Sequence, residues 1–227
     1  MGRIFITGDT HRQVTPFIRF NTSYGDDLSK EDYLIVTGDF GFVFSLNQHE
    51  EYCLDMLDSF PWTTLFINGN HDNIVALNQM PTEEWNGGLV HKVRDSVIHL
   101  MTGEVYDIEG KTFFCFGGAR SVDAAYRTPY KDWWPEEIPT IKEYDRAQSN
   151  LEDRDFKVDY IITHAMPDVF IKELYGSKYR GGDKTAYMLD DFLLQCMFKK
   201  WYCGHYHLDV AMRPNIQICY KEFYEVI

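Results

Sequence analysis

Five short polar clusters recur along this chain, and each follows a run of residues that favour extended backbone. Asp9-Thr10-His11 follows residues 3–6, Gly38-Asp39 follows 33–36, and Gly69-Asn70-His71-Asp72 follows 64–67. Thr163-His164 follows 160–162, and Gly204-His205-Tyr206-His207 follows 200–203. The runs are β-branched or aromatic, and Gly or Thr closes most of them, so the polar clusters fall at strand ends. In open α/β sheets the loops at the carboxyl ends of strands carry chemistry while the strands fix their roots. The pattern therefore predicts that five such ends converge on one site.

Besides Asp72, the clusters together supply two Asp, one Asn and up to five His, with no Cys. That nitrogen and oxygen set suits borderline cations such as Zn, Mn, Fe or Ni better than Ca. A lone Asp-x-His or Gly-Asp after a strand is an ordinary turn, because Asp, Asn and Gly are turn residues. Five in series, each with a metal-binding side chain, are not explained as turns. His205 and His207 would point to opposite faces of a regular strand and can share a centre only from a loop.

The ordered set D-x-H, G-D, G-N-H-D, H, G-H-x-H resembles the calcineurin-like metallophosphoesterase superfamily, from Asp9 to His207. The resemblance implies an α/β fold, a β-sandwich of mixed sheets flanked by helices (αββα), and two divalent metal ions. It assigns Asp9, His11, Asp39 and His207 to one ion and Asp39, Asn70, His164 and His205 to the other, with Asp39 bridging. His71 and Asp72 would be the catalytic pair, His71 as general acid and Asp72 orienting its ring and favouring the imidazolium. Two departures stand out. Gly38-Asp39-Phe40-Gly41 lacks the V-D-R-G continuation of the protein serine/threonine phosphatases, and with it the arginine they place on phosphate. Thr163-His164 stands where many relatives have Gly-His, which keeps the ligand.

The chemistry explains the residue types. Two divalent cations roughly 3.5–4 Å apart clamp a phosphoryl oxygen, acidify a bridging water and stabilise the attacking and leaving oxygens of an in-line displacement. A carboxylate such as Asp39 offers two oxygens to a bridge and compensates the repulsion between the cations. Two such cations, less two Asp charges and a hydroxide, leave a net positive centre that attracts phosphate. A positioned general acid contributes typically about 100- to 10,000-fold.

Composition bounds the rest. A chain of 227 residues without repeats or low-complexity tracts fits one domain, residues 1–227, that buries roughly 70–75% of its unfolded surface. The first strand begins at once, with no room for an export signal, and no apolar run reaches membrane-span length. Ile6 stands where a myristoylation motif needs Ser or Thr. The five cysteines are odd in number and lie mostly in apolar segments, so they read as reduced core residues. A cytoplasmic protein is expected. A net charge of −13 argues against an extended nucleic-acid footprint but not against a nucleotide.

Residues 46–60 carry an amphipathic pattern ended by Pro61, and 184–198 place apolar residues at helical spacing. Residues 97–101, 104–108 and 112–116 read as an antiparallel meander, and 215–224 as a returning strand.

Two segments are candidates for substrate selection. The long connection from Gly117 to Pro135 carries Arg120 and Arg127, either of which offers a guanidinium fork to phosphate, and Trp133-Trp134, which could stack on a base. Its structural alternative pairs Arg127 with Asp123 or Asp132. Residues 172–184 carry Lys172, Lys178, Arg180 and Lys184 among glycines and read as a mobile lid or a solvated turn. His49, His91 and His99 fit no motif.

The sequence thus predicts a dinuclear phosphohydrolase acting on a small phosphate mono- or diester, with a nucleotide among the candidates. The alternatives are a non-catalytic binding scaffold of the same fold and a protein serine/threonine phosphatase. Scaffold relatives tend to lose ligands or the histidine acid, whereas every position is filled here.

Overall fold

The strand-forming runs build two mixed sheets, and a computed structural model describes them over residues 2–226. The first sheet holds β1 (Ile4–Thr7), β2 (Tyr33–Val36), β3 (Thr63–Phe66), β4 (Thr82–Trp85), β5 (Gly88–Arg94) and β6 (Val97–Leu100). The second holds β7 (Glu104–Ile108), β8 (Lys111–Phe116), β9 (Tyr160–Thr163), β10 (Lys200–Cys203), β11 (Val210–Arg213) and β12 (Ile216–Ile218). The chain then returns to the first sheet as β13 (Tyr224–Glu225), giving the orders β13-β1-β2-β3-β6-β5-β4 and β11-β12-β10-β9-β8-β7.

The strands that lead to the polar clusters run parallel and in register. Thr7 pairs with Val36 and Val36 with Phe66, while Cys203 pairs with Thr163 and Thr163 with Phe116. Their carboxyl ends are therefore level, which places the loops that follow along one edge of each sheet.

Strand alternation assigns side chains to layers. Ile4, Ile6, Ile35 and Leu65 meet Phe113, Cys115, Ile162 and Tyr202 between the sheets. The alternate residues Phe5, Leu34, Val36 and Phe66 face α1 (Thr15–Tyr24) and α2 (Gln48–Ser59). On the other side Phe114, Phe116, Ile161 and Trp201 pack with α4 (Ile141–Glu152), α5 (Asp168–Tyr175) and α6 (Lys184–Gln195), after the short α3 (Ile74–Leu77). The result is the expected αββα sandwich. Each fully buried side chain of this size contributes roughly 1.5–3 kcal/mol, whereas exposed pairs such as Arg213–Glu173 are screened by solvent and contribute little. Packing therefore holds the layers together.

The caps explain where helices begin. Asn47 accepts from the amide of Glu50 at the start of α2, and Thr140 with Glu143 forms a capping box on α4. The buried Glu50 carboxylate in turn accepts the amides of Phe44, Ser45 and Leu46.

Two expectations are corrected. The meander is split: β6 pairs with β3 and β5 in the first sheet, and only β7 and β8 form an antiparallel pair in the second. The returning strand over 215–224 is two pieces, β12 and β13, in different sheets. The hairpin β4–β5 and the helices α1, α4 and α5 lie outside the segments read from sequence as helix or strand. All five cysteines are free and buried, and no helix among the described residues is long and apolar enough to cross a membrane.

His91 and His99 do find a role in this frame. Their rings stack on neighbouring strands with Nδ1 atoms 3.0 Å apart, and His99 Nε2 lies 3.4 Å from Asn68 Oδ1. Burial, and for His99 the neighbouring His91, lower both pKa values from 6.5. Below about pH 6.5 the unfolded chain takes up protons that the folded pair resists, so stability is complete above that pH and declines as pH falls. Urea unfolding of metal-free protein between pH 7.5 and about 5.5 should show this decline, and His99→Gln should flatten it. An identical slope in wild type and variant would remove the pair from the account.

Candidate metal centre

Seven donor residues from five strand ends meet where the two sheets come together. Asp9 and His11 follow β1, Asp39 follows β2, Asn70 follows β3, His164 follows β9, and His205 and His207 follow β10. The sheets are tied together at this edge. The Nδ1–H of His164 donates to the carbonyl of Thr37 at 2.8 Å, and the His205 amide donates to both oxygens of Asp9 at 3.0 Å.

Two nests of donor atoms result. In the first, His207 Nε2 lies 2.8 Å from His11 Nε2 and 3.1 Å from Asp9 Oδ2. In the second, His164 Nε2 lies 3.1 Å from Asn70 Oδ1 and 3.3 Å from Asp39 Oδ1, and His205 completes the group. Asp39 reaches both, with Oδ2 3.7 Å from His11 Nε2. Within each of the groups Asp9–His11–His207 and Asp39–His164–His205 the ligand atoms lie within 4.8 Å of one another.

This set fits divalent metal. Two nitrogens each about 2.0–2.1 Å from a cation are roughly 3 Å apart when they coordinate at right angles, which is the separation of the His11 and His207 Nε2 atoms. The His164 bond to Thr37 fixes the tautomer that leaves Nε2 as an acceptor turned to the carboxylates. Burial works against charge on His164, but Asp39 outweighs it and pushes its pKa up to about 10. A proton there occupies the position a cation would take.

The backbone is strained at the same place. His11, Asp39, His205 and His207 have φ of 46°, 49°, 68° and 52°, a left-handed conformation that costs non-glycine residues on the order of 1–3 kcal/mol each. The loop form at His205 and His207 lets both side chains serve one site, as their spacing required. Two of the motif glycines are explained by close approach. A Cβ on Gly69 would lie 2.2 Å from Asp39 Oδ1, and one on Gly204 would lie 2.3 Å from Asp9 Oδ1.

Asp72 takes a different part from the one expected. Its oxygens accept the amides of Gly41 at 2.6 Å and Gly69 at 2.8 Å, so it ties the loops after β2 and β3 to each other rather than orienting His71. Burial, and then the charge of Asp39, push its pKa up to about 7. The group beside the His71 ring is Arg127, whose Nη2 lies 3.0 Å from Nε2 and whose Nη1 lies 3.4 Å from Nδ1. Arg127 also pairs with Asp123 at 2.8 Å and donates to the Asp132 carbonyl, so the structural alternative and the site contact coexist. Burial first, helped by Arg127, lowers His71 to about 4, contrary to the imidazolium expected from Asp72. Arg120 is exposed at the margin of a neighbouring cleft. Trp134 is buried edge-on against Phe44 and offers no face to a base.

The Thr163 departure has a simple basis: its hydroxyl accepts the Trp201 indole N–H at 2.8 Å and donates to the Ala165 carbonyl.

Compared with known families, residues 2–209 match the model described as calcineurin-like phosphoesterase. The chain belongs to that family. The match covers all five clusters, in a family of phosphoesterases that generally bind divalent metals. No curated protein matches the sequence. Among solved structures, this phosphoesterase is similar in fold to a protein of Staphylococcus aureus assigned as a 5′-nucleotidase, with a TM-score of 0.51 and 11% identity. That similarity covers 96% of this chain and 48% of the other, so the chain spans about half the length of that protein. Phosphopantetheinyl hydrolase from Mycobacterium tuberculosis matches with a TM-score of 0.45 and 17% identity, over 97% of this chain and 90% of that one. A protein serine/threonine phosphatase from Saccharomyces cerevisiae matches with a TM-score of 0.40 and 13% identity, over 96% and 67% of the two chains.

Two residues beyond the motifs support the centre. Asn70 Nδ2 donates to Ser121 Oγ at 3.2 Å, and Ser121 donates through Oγ and its amide to the buried Glu137 carboxylate, both at 2.6 Å. This relay turns Asn70 Oδ1 toward His164. Nothing in the sequence spacing marks it, because Ser121 and Glu137 lie in an irregular connection. Losing such an outer partner typically costs about 10- to 100-fold in metal affinity. Ser121→Ala should show that loss when Mn or Zn binding is titrated at a temperature where the metal-free variant is still folded, with some fall in melting temperature from the hydrogen bond the buried Glu137 carboxylate loses. Unaltered affinity would make the relay merely structural.

Proposed function

We propose that the chain is a single-domain, dinuclear metal-dependent phosphohydrolase that cleaves a small phosphate mono- or diester, with a nucleotide among the candidate substrates. The observation that carries this reading is the convergence of seven donors on two adjoining nests that share Asp39. Asp9, His11, Asp39 and His207 would hold one ion, and Asp39, Asn70, His164 and His205 the other, with Mn, Fe, Zn or Ni suited to the donor set. When bound, such ions supply Lewis acidity and an acidified water.

The remaining steps fall to side chains of this chain. His71 stands on the same loop as Asn70 and is partly exposed, where it can hand a proton to a leaving oxygen. His71 also lies within ligand distance of His11 and Asp39. The guanidinium along its ring works against a further metal ion there, and against the proton of an acid as well. An arriving phosphate anion supplies the negative charge that a proton on His71 requires. Arg127 would hold a phosphate oxygen beside it, with the fork geometry that suits such an anion. It would take over the role of the arginine missing after Asp39. Asp72 would act by joining the two loops.

Asp39→Asn should abolish hydrolysis and empty at least one metal position, as elemental analysis after reconstitution with excess Mn or Zn would show. Trace metal in the wild type under those conditions would sink the assignment. His71→Ala should keep both metals and lower turnover by about 100-fold or more. The loss should be smallest for p-nitrophenyl phosphate, whose leaving group needs little protonation; equal losses for alkyl and nitrophenyl esters would exclude His71 as the acid. Arg127→Ala should raise KM for a charged substrate with metal content unchanged, as expected for lost ground-state binding.

A further inference from the structure

A second feature of the molecule lies beside the metal centre. A cleft of about 340 Å³ opens next to His205 and Tyr206, bounded by Arg120 on one side and by the loop carrying Lys178, Arg180 and Asp183 on the other. Most arginines of this acidic chain are neutralised: Arg3, Arg94, Arg127, Arg146, Arg154 and Arg213 each sit within ion-pair distance of a carboxylate. Among the described residues, no ion pair involves Arg120, Lys178 or Arg180. Arg180 reaches only the carbonyls of Ser177 and Tyr179, at 3.1 and 3.0 Å. The single acid in the lining, Asp183, is turned to the Ala186 amide as the cap of α6.

The loop is not a free lid. The Tyr179 hydroxyl lies 2.6 Å from both Asp168 oxygens and accepts the Gly182 amide at 2.8 Å, which pins the segment across α5 and holds its cations at the cleft. Three uncompensated cations against one occupied carboxylate, in a chain of net charge −13, form a local positive field continuous with the metal centre. Cations kept unpaired in such surroundings fit an anionic ligand that supplies the missing partners.

We propose that this cleft binds a second phosphate on the substrate, so that the preferred substrates are small esters bearing one phosphate at the metals and another at Arg120, Lys178 and Arg180. The proposal rests on the phosphohydrolase reading for its catalytic consequence, and the binding site itself is testable without it. With the metal-loaded protein, the ratio of kcat/KM for fructose bisphosphate to that for fructose monophosphate should fall about tenfold or more in Lys178→Ala/Arg180→Ala. The charge-conserving Lys178→Arg/Arg180→Lys should keep most of the ratio. An unchanged ratio in the alanine variant, with its melting temperature preserved, would overturn the proposal. If neither ester is hydrolysed by the wild type, sugar monoesters are not substrates of the metal centre, and calorimetry with inorganic pyrophosphate in EDTA decides the cleft. Binding by wild type that the alanine variant loses supports it; equal binding, or none by wild type, refutes it.

Discussion

Two carboxylates, Asp9 and Asp39, sit almost out of water at the junction of the two sheets, at 5% and 1% exposure, and the architecture around them follows from that burial. A buried charge without a partner is strongly destabilising, so each is surrounded by groups that compensate it. Asp9 takes the amide of His205 and the ring of His207; Asp39 takes the amide of His71 and the rings of His164 and His11. These partners come from both sheets. The same contacts that neutralise the carboxylates therefore fix how the two halves of the sandwich meet.

The strained loops belong to this arrangement. Four ligand candidates adopt left-handed backbone at non-glycine positions, and that strain is sustained only because surrounding bonds over-determine it. The amides of Thr10 and His11 both donate to the Asp39 carbonyl, so the first two loops brace each other. Asp72 extends the bracing from the Gly41 amide to the Gly69 amide, and the Glu137–Ser121 pair extends it to Asn70. A centre built this way is preorganised by backbone as much as by side chains, in keeping with the need to hold ligand geometry before an ion arrives.

The surroundings divide the site into two electrostatic regions. On one flank Arg127 lies along His71 and is partly neutralised by Asp123. On the other, the cleft beside His205 gathers cations that form no ion pair with a carboxylate among the described residues. An anion approaching this junction would thus meet positive charge of two kinds: one paired and set beside His71, one unpaired and set farther along.

The polar clusters and the runs before them were legible in sequence because both signals are local: a strand run of four residues and the turn after it need no tertiary contact to be recognised. Their order along the chain was enough to name the ligand candidates, and the resemblance supplied their grouping. The middle of the chain was legible only in part. The residues from Val97 to Phe116 carry the same largely apolar runs whether they form one meander or cross between sheets, since both faces of these strands are mostly buried. Asp72 could be placed next to His71 by sequence, yet neighbours along a loop need not touch; the amides of Gly41 and Gly69 claimed its oxygens. Arg127, Ser121 and Glu137 reach the centre from a connection with no period to read, and the unpaired cations beside His205 become a site only once α5 and α6 bring their loop against Arg120. Local chemistry was thus determined by the sequence, while the partners of each side chain, which depend on contacts far apart in the chain, were decided by the tertiary structure.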